Sequence, residues 1–474
     1  MKTDEGRNIM PNIIDYVKWR GDLSTEASPF NDIDSLILSQ ITMINFKGIV
    51  PAPFETGRIS LRDAADTYFA DYERSATSLG KIIPPETKEL FFESGKSERF
   101  GKMMLSAYVS YTSIDEETQF AAMTADIGDG SRCVIFRGTD DSLVGWKEDL
   151  NLSFMETIPA QTEALRYLED AASSFKGGIR VAGHSKGGNL SVYAATKADK
   201  SIQDRIITVY NHDAPGFSRA FLSSPEHERV EDKIRTIVPQ SSVVGMLFEN
   251  KGEYEIVKST MSGILQHNPF SWEVLGNDFI KLDSLTEEGQ RIAKVMNDWM
   301  SNATLEEKER FADAFYNILA ATEATTLTEL YADKYAVVRA IKDTDKETRN
   351  MVFSVIGIIF EEGGRIFREN LFGNSKKKKL EEGDEEKLDE AFADAKRVLD
   401  EMRKGADIPE ATYTQHTTEK RAVARREMRQ PKTLSNNAQR PRQKRMPPQN
   451  QDKTPFITDL AHATRAAVRK KTGR

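Results

Sequence analysis

The chain has 474 residues, 39% of them hydrophobic and 30% charged, with a formal net charge of −8. That length supports a large core and, at about 150 residues per domain, two or three units; the polar excess points to an ordered body with polar appendages rather than to disorder throughout. A single cysteine, Cys133, excludes an intramolecular disulfide framework, and six histidines with neither HExxH nor CxxC spacing argue against a metal centre.

The opening residues, MKTDEGRNIMPNIIDYVKW, place acids and polar groups where a signal peptide needs a continuous apolar run. The best candidate for a membrane span, MVFSVIGIIF at 351–360, is about half the roughly 18 residues required. A soluble protein of a reducing, cytoplasmic compartment is the expectation. Charge is distributed unevenly. Residues 405–474 carry 16 Lys+Arg against 6 Asp+Glu, a net +10, which leaves −18 on the first 404. A basic tail of this kind suits contact with an anionic lipid surface, with nucleic acid or with the acidic body, and a solvated tail without a partner fits the same composition.

In chain order, residues 1–99 read as helix and loop packing on the domain that follows. DIDSLILSQITMINF (32–46) has helical spacing with an Ile-rich end that an extended chain also accommodates, and SLRDAADTYFADYER (60–74) is a clearer amphipathic helix. From Met103 the period changes. KMMLSAYVSYTS, TQFAAMTADIG and SRCVIFRG form a meander of strands. A helix (162–175), a strand (178–185), a helix (187–199) and strands at 205–213 and 234–240 follow, and this alternation predicts an α/β fold with a mostly parallel sheet and flanking helices. That unit spans 100–283. Residues 284–404 fit helical spacing throughout and suit a cap over the site, a separate interaction domain or a dimer surface. Residues 405–474 are basic and largely disordered by composition, with a short amphipathic piece at the end.

The informative string is GHSKG, at residues 183–187. An apolar strand leads into it and a helix-forming segment leaves it, which is the setting of a nucleophile elbow. Gly183 and Gly187 relieve crowding around a sharp turn, Ser185 is lifted above the sheet edge, and the amide of Lys186 falls at a helix N-terminus, where it can donate to an oxyanion. His184 is expected to point away from the reaction centre. Lys186 adds a cation beside the serine, either to favour an anionic substrate or to reach water along its stem. A second element, FRGTDDSLVGWKEDL (136–150), begins at a strand end.

Together the two elements resemble class 3 lipases and related lipase-like bacterial proteins of unknown function. Those families pair a strand ending in FRGT or FRGS with a later tryptophan and a DL dipeptide, matched here by Phe136, Arg137, Gly138, Thr139, Trp146, Asp149 and Leu150. They continue to GHSLGG, where this chain reads GHSKGG. The resemblance covers about 170 residues and implies an α/β-hydrolase fold, a serine nucleophile at Ser185 and a second oxyanion donor at Thr139, with Asp149 a structural hydrogen-bonding residue. Family order places the general base at His267, in GILQHNPFSWEV. The family's aspartate, in an NDPVP-like segment, has no match, because IVPQSSVVGML carries Gln240, Ser241 and Ser242 there. Two arrangements are open: Asp213, in YNHDAPGF, supplies the acid, or a Ser–His dyad is oriented by Ser242. The resemblance also implies that 142–155 forms either a mobile apolar cover or a segment packed under the sheet edge. The expected function is carboxylic ester hydrolysis through an acyl-enzyme without a cofactor, on a small-molecule or lipid ester; the alternative is a binding or scaffold protein that kept the frame and lost the chemistry.

Overall fold

The computed structural model describes residues 10–320, apart from 81, 250–253, 288, 291–293 and 295–303. The strand-forming runs after Met103 become β2 (Met104–Ser113), β3 (Thr118–Asp126) and β4 (Ser131–Phe136), preceded by the short β1 (Ile59–Ser60). The alternating portion supplies β5 (Gly178–His184), β6 (Ile206–His212), β7 (Ile234–Pro239) and β8 (Tyr254–Val257). A hairpin of β9 (Val274–Leu275) and β10 (Asp278–Phe279) precedes β11 (Lys281–Leu282). All but the hairpin join one sheet in the order β1-β2-β3-β4-β5-β6-β7-β8-β11. Strands β4 to β8 run parallel, and the pairs at both margins are antiparallel. This is the α/β fold with a mostly parallel central sheet that the alternation predicts.

Strands β3 and β4 are buried at almost every position, as a sheet covered on both faces requires. Helices of eight residues or more are numbered here. On one face lie α1 (Ile13–Arg20), α2 (Asp32–Ile41), α3 (Leu61–Ala70) and α4 (Glu86–Lys96), whose Ile33, Leu36, Leu61 and Phe91 share a core with Ile135, Ala182 and Trp272. The Ile-rich end of the 32–46 segment is therefore helical to Ile41, and Phe46 enters the core from the turn beyond it. On the other face, α5 (Leu143–Asn151), α6 (Pro159–Ser173) and α7 (Lys186–Lys197) follow β4 and flank β5, and the core there joins Phe120, Phe136, Val181 and Leu190. The helix α8 (Leu305–Ala320) packs on α5, and Lys147 of α5 pairs with its Asp313 at 3.3 Å. Residues 321–404 and the basic tail lie outside the described residues.

The N-terminal layer is fastened by a buried ion pair. Asn31 and Asp34 cap α2 reciprocally, and the same Asp34 carboxylate accepts Arg99 Nε at 2.6 Å and the Tyr16 hydroxyl at 3.1 Å. Both charged side chains are fully enclosed. Arg99 also donates to the carbonyls of Leu23, Ser28 and Pro29. Asp32, at the start of the same helix, holds Arg235 of β7 through two bonds, at 2.8 and 2.6 Å. Arg99→Leu leaves Asp34 as an uncompensated buried charge and is expected to cost about 3–5 kcal/mol of unfolding free energy. Urea melts of the two proteins measure this; a loss below about 1 kcal/mol would mean that the layer is held by packing alone.

Candidate active site

Ser185 sits between β5 and α7 with φ 58° and ψ −135°, a backbone conformation that side-chain-bearing residues rarely adopt. Its neighbours make this geometry accessible. A Cβ on Gly183 would stand 2.1 Å from the Gly187 carbonyl group, and one on Gly187 would stand 2.2 Å from the Phe136 carbonyl oxygen. The Ser185 amide donates to the His212 carbonyl at 3.0 Å, so the turn is pinned to the end of β6. The Ser185 side chain is half-buried and has no hydrogen-bond partner among the described residues.

Asp213 follows directly from β6 and also has a positive φ, 49°. Its amide donates to the Ile237 carbonyl, which fixes it at the carboxyl end of the sheet beside Ser185. One carboxylate oxygen, Oδ2, lies 2.7 Å from His267 Nδ1. The other accepts the Ser242 hydroxyl and, at 3.1 Å, the Gly245 amide. The two arrangements left open by the sequence thus merge: the carboxylate of Asp213 meets the imidazole, and Ser242 holds the carboxylate.

His267 ends a 3-10 turn, Gly263–His267, and is 24% exposed through its side chain. The turn is anchored where the Trp272 indole donates to the Gln266 carbonyl at 2.8 Å and Gln266 Oε1 accepts the Ser241 amide at 3.0 Å. His184, expected to point away, instead lies with its ring 4.5 Å from that of His267 and its Nε2 3.0 Å from the His267 carbonyl oxygen. A carbonyl can only accept, so Nε2 carries the proton; burial holds the pKa of His184 well below the usual histidine range. His212 is likewise pushed down by burial, to about 3, and its Nε2 meets Ser35 Oγ of α2 at 2.7 Å.

The loop after β4 lies against the elbow. A Cβ on Gly138 would come within 2.8 Å of the His184 carbonyl oxygen and 3.3 Å of Ser185 Cβ. Thr139 donates its hydroxyl to Asp149 Oδ2 at 2.5 Å, and Ser142 caps the helix carrying Trp146. The main-chain amides of Thr139 and Lys186 have no acceptor among the described residues. Unpartnered amides in the loop after β4 and at a helix N-terminus are suited to receiving an oxyanion.

Lys186 departs from both expectations for its side chain. It reaches neither water nor a substrate surface, being 1% exposed. Its ammonium donates to the Gln119 carbonyl at 2.9 Å, to Gln119 Oε1 at 2.7 Å and to Glu148 Oε2 at 2.9 Å. Glu148 and Gln119 escape notice in the sequence, where the only signal is a lysine in a position that resembling lipases fill with leucine. The segment 142–155 contains α5, whose Leu143, Val144 and Glu148 are buried against the β2–β3 side of the sheet. Among the described residues, no group of His, Cys, Asp and Glu is arranged to hold a metal ion, and no helix is long and apolar enough to cross a membrane.

Burial raises Asp149 to about 6, with Glu148 adding to the rise while Lys186, Thr139 and His267 oppose it. A carboxyl raised in the folded state binds its proton there before it does in the unfolded chain. Its contribution to stability is therefore fullest below pH 4 and is lost as pH rises through 6, by about 3 kcal/mol in all. Asp149→Asn should abolish this slope. The check is the difference in unfolding free energy between wild type and variant at pH 4, 5, 6 and 7; a difference that does not change with pH would contradict the assignment.

Comparison with known proteins places these features in context. Residues 94–317 match the model of a family described as Mbeg1-like. No curated protein matches the chain. Among solved structures, M37 lipase is similar at 15% identity, over 45% of this chain and 68% of that one, with a TM-score of 0.29. The Rhizomucor miehei lipase in its native propeptide complex is similar at 15% identity, over 52% of this chain and 76% of that one, with a TM-score of 0.28. The family match spans the elbow, the FRGT loop and His267.

Proposed function

We propose that this protein is a serine hydrolase that cleaves carboxylic esters, of lipid or other acyl type, through an acyl-enzyme. The observation that carries the reading is the 2.7 Å contact between Asp213 and His267 Nδ1 at the same sheet edge as the strained, half-exposed Ser185. With Nδ1 donating to the carboxylate, Nε2 is the free base of the ring. On substrate binding, Nε2 accepts the Ser185 proton as Oγ attacks the acyl carbon. The carbonyl π pair moves onto oxygen, where the Thr139 and Lys186 amides receive it. The imidazolium then protonates the departing alkoxide and the acyl-enzyme forms. Water repeats the sequence, the carboxylic acid leaves and Ser185 regains its proton.

Ser185 has no hydrogen bond to the imidazole in this structure. Such contacts are often loose without substrate and tighten in the complex. The same observation favours a second reading, a scaffold that retains the frame without turnover, and one experiment separates the two. Incubation with a fluorophosphonate should give a covalent adduct on the Ser185 peptide in intact-mass and tryptic analysis, absent in Ser185→Ala. Asp213→Asn should remain folded and lower kcat on a soluble p-nitrophenyl ester by about 10⁴, through loss of the correct imidazole tautomer. Absence of a Ser185 adduct would favour the scaffold.

A further inference from the structure

Two successive residues of α5 hold the two residues proposed to cradle the oxyanion. Asp149 accepts the hydroxyl of Thr139 at 2.5 Å, and Glu148 accepts the ammonium of Lys186 at 2.9 Å. The second contact is the unusual one. Lys186 and Glu148 are 1% and 0% exposed through their side chains, and each of their charged atoms is hydrogen-bonded. Glu148 Oε2 also accepts the Gln119 amide at 3.1 Å, and Oε1 accepts the Ala160 amide at 2.9 Å. All three ammonium protons of Lys186 are committed, two to Gln119 and one to Glu148.

Holding a charged pair in a core is costly, and apolar residues of similar volume commonly fill such a place at least as stably. What the pair supplies that an apolar side chain does not is direction. Lys186 is the first residue of α7, and its amide lacks the intrahelical partner that would otherwise fix it. The side chain on the same Cα is drawn to a fixed point between β3 and α5. Since α5 also holds Thr139, both donor amides are referred to one short helix. Electrostatic stabilisation of an oxyanion depends on donors set in advance, and displacement by about 1 Å can cost on the order of 100-fold in rate.

We propose that Glu148 is a positioning residue: through its buried pair with Lys186 it sets the Lys186 amide relative to that of Thr139, so that the two donate to one oxygen atom. This rests on Ser185 acting as a hydrolase nucleophile. Because Glu148 acts only through Lys186, the single variants Glu148→Leu and Lys186→Leu and the double variant should lower kcat by a similar factor, about 10- to 100-fold, with KM within about threefold of wild type. The double variant removes both charges, so it should melt at a higher temperature than Glu148→Leu and still turn over slowly.

The experiment is steady-state hydrolysis of p-nitrophenyl acetate by the full chain and the three variants, with melting temperatures recorded in parallel and fluorophosphonate labelling of Ser185 as the reference. Should Glu148→Leu fail to fold, the double variant decides. A folded double variant with wild-type kcat would overturn the proposal and reduce the pair to a packing element. Losses that multiply in the double variant would overturn it too, since they would mean that Glu148 acts independently of Lys186. A wild-type chain that neither labels at Ser185 nor hydrolyses the ester would overturn the hydrolase reading and this proposal together, whereas wild-type activity beside a fully active double variant overturns the proposal alone.

Discussion

The site depends on a backbone conformation that the chain adopts only because two glycines allow it. At Ser185, φ 58° and ψ −135° turn the end of β5 sharply into α7. The turn closes because Gly183 and Gly187 lie closer than two side chains would permit, with Gly187 also pressed to the carbonyl of Phe136. The strain is balanced by neighbours: the Ser185 amide is bonded to His212, and the next strand repeats the device, with Asp213 turning at positive φ and bonded to Ile237. Two candidate site positions thus lie at adjacent strand ends of a parallel sheet, where ligand sites of α/β proteins collect.

Around this constraint the protein places enclosed polar groups rather than apolar filling. Asn189, one turn into α7, donates to the carbonyls of Pro215 and Gly216 and accepts from Gln161, so the helix after the serine is bonded to the loop after Asp213. Glu148 and Lys186 connect the elbow to α5, and Asp149 connects α5 to Thr139. Each of these groups is costly to bury and has a fixed set of partners, so it holds the elements it joins in one geometry. Arg99 and Asp34 act similarly in the N-terminal layer, where α2 also presents Ser35 to His212 directly behind the turn.

Much of this was legible in the sequence because the signals are local. The change of period at Met103 marks the sheet, and GHSKGG between an apolar run and a helical one marks the elbow. The resemblance to class 3 lipases points to His267 and leaves Asp213 and Ser242 as alternatives beside it; the structure sets the Ser242 hydroxyl on the Asp213 carboxylate that meets the His267 imidazole. The side-chain partners of Lys186 were not legible. A lysine beside a presumed pocket suggests solvent or substrate, and only the fold brings Gln119, 67 positions away, and Glu148, 38 positions away, to its ammonium. The orientation of His184 was missed for the same reason, since its partner is a main-chain carbonyl 83 residues later.

At the centre of the proposed site, the Ser185 hydroxyl faces an acyl carbon, the His267 imidazole takes its proton and the Thr139 and Lys186 amides donate to the acyl oxygen. A crystal structure of the protein soaked with a p-nitrophenyl phosphonate tests this most directly. The account predicts phosphorus bonded to Ser185 Oγ, the phosphoryl oxygen within about 3.1 Å of both the Thr139 and Lys186 amides, and His267 Nε2 within hydrogen-bond reach of Oγ. A phosphonyl group on another residue, or one on Ser185 whose oxygen faces solvent with both amides unoccupied, would contradict it.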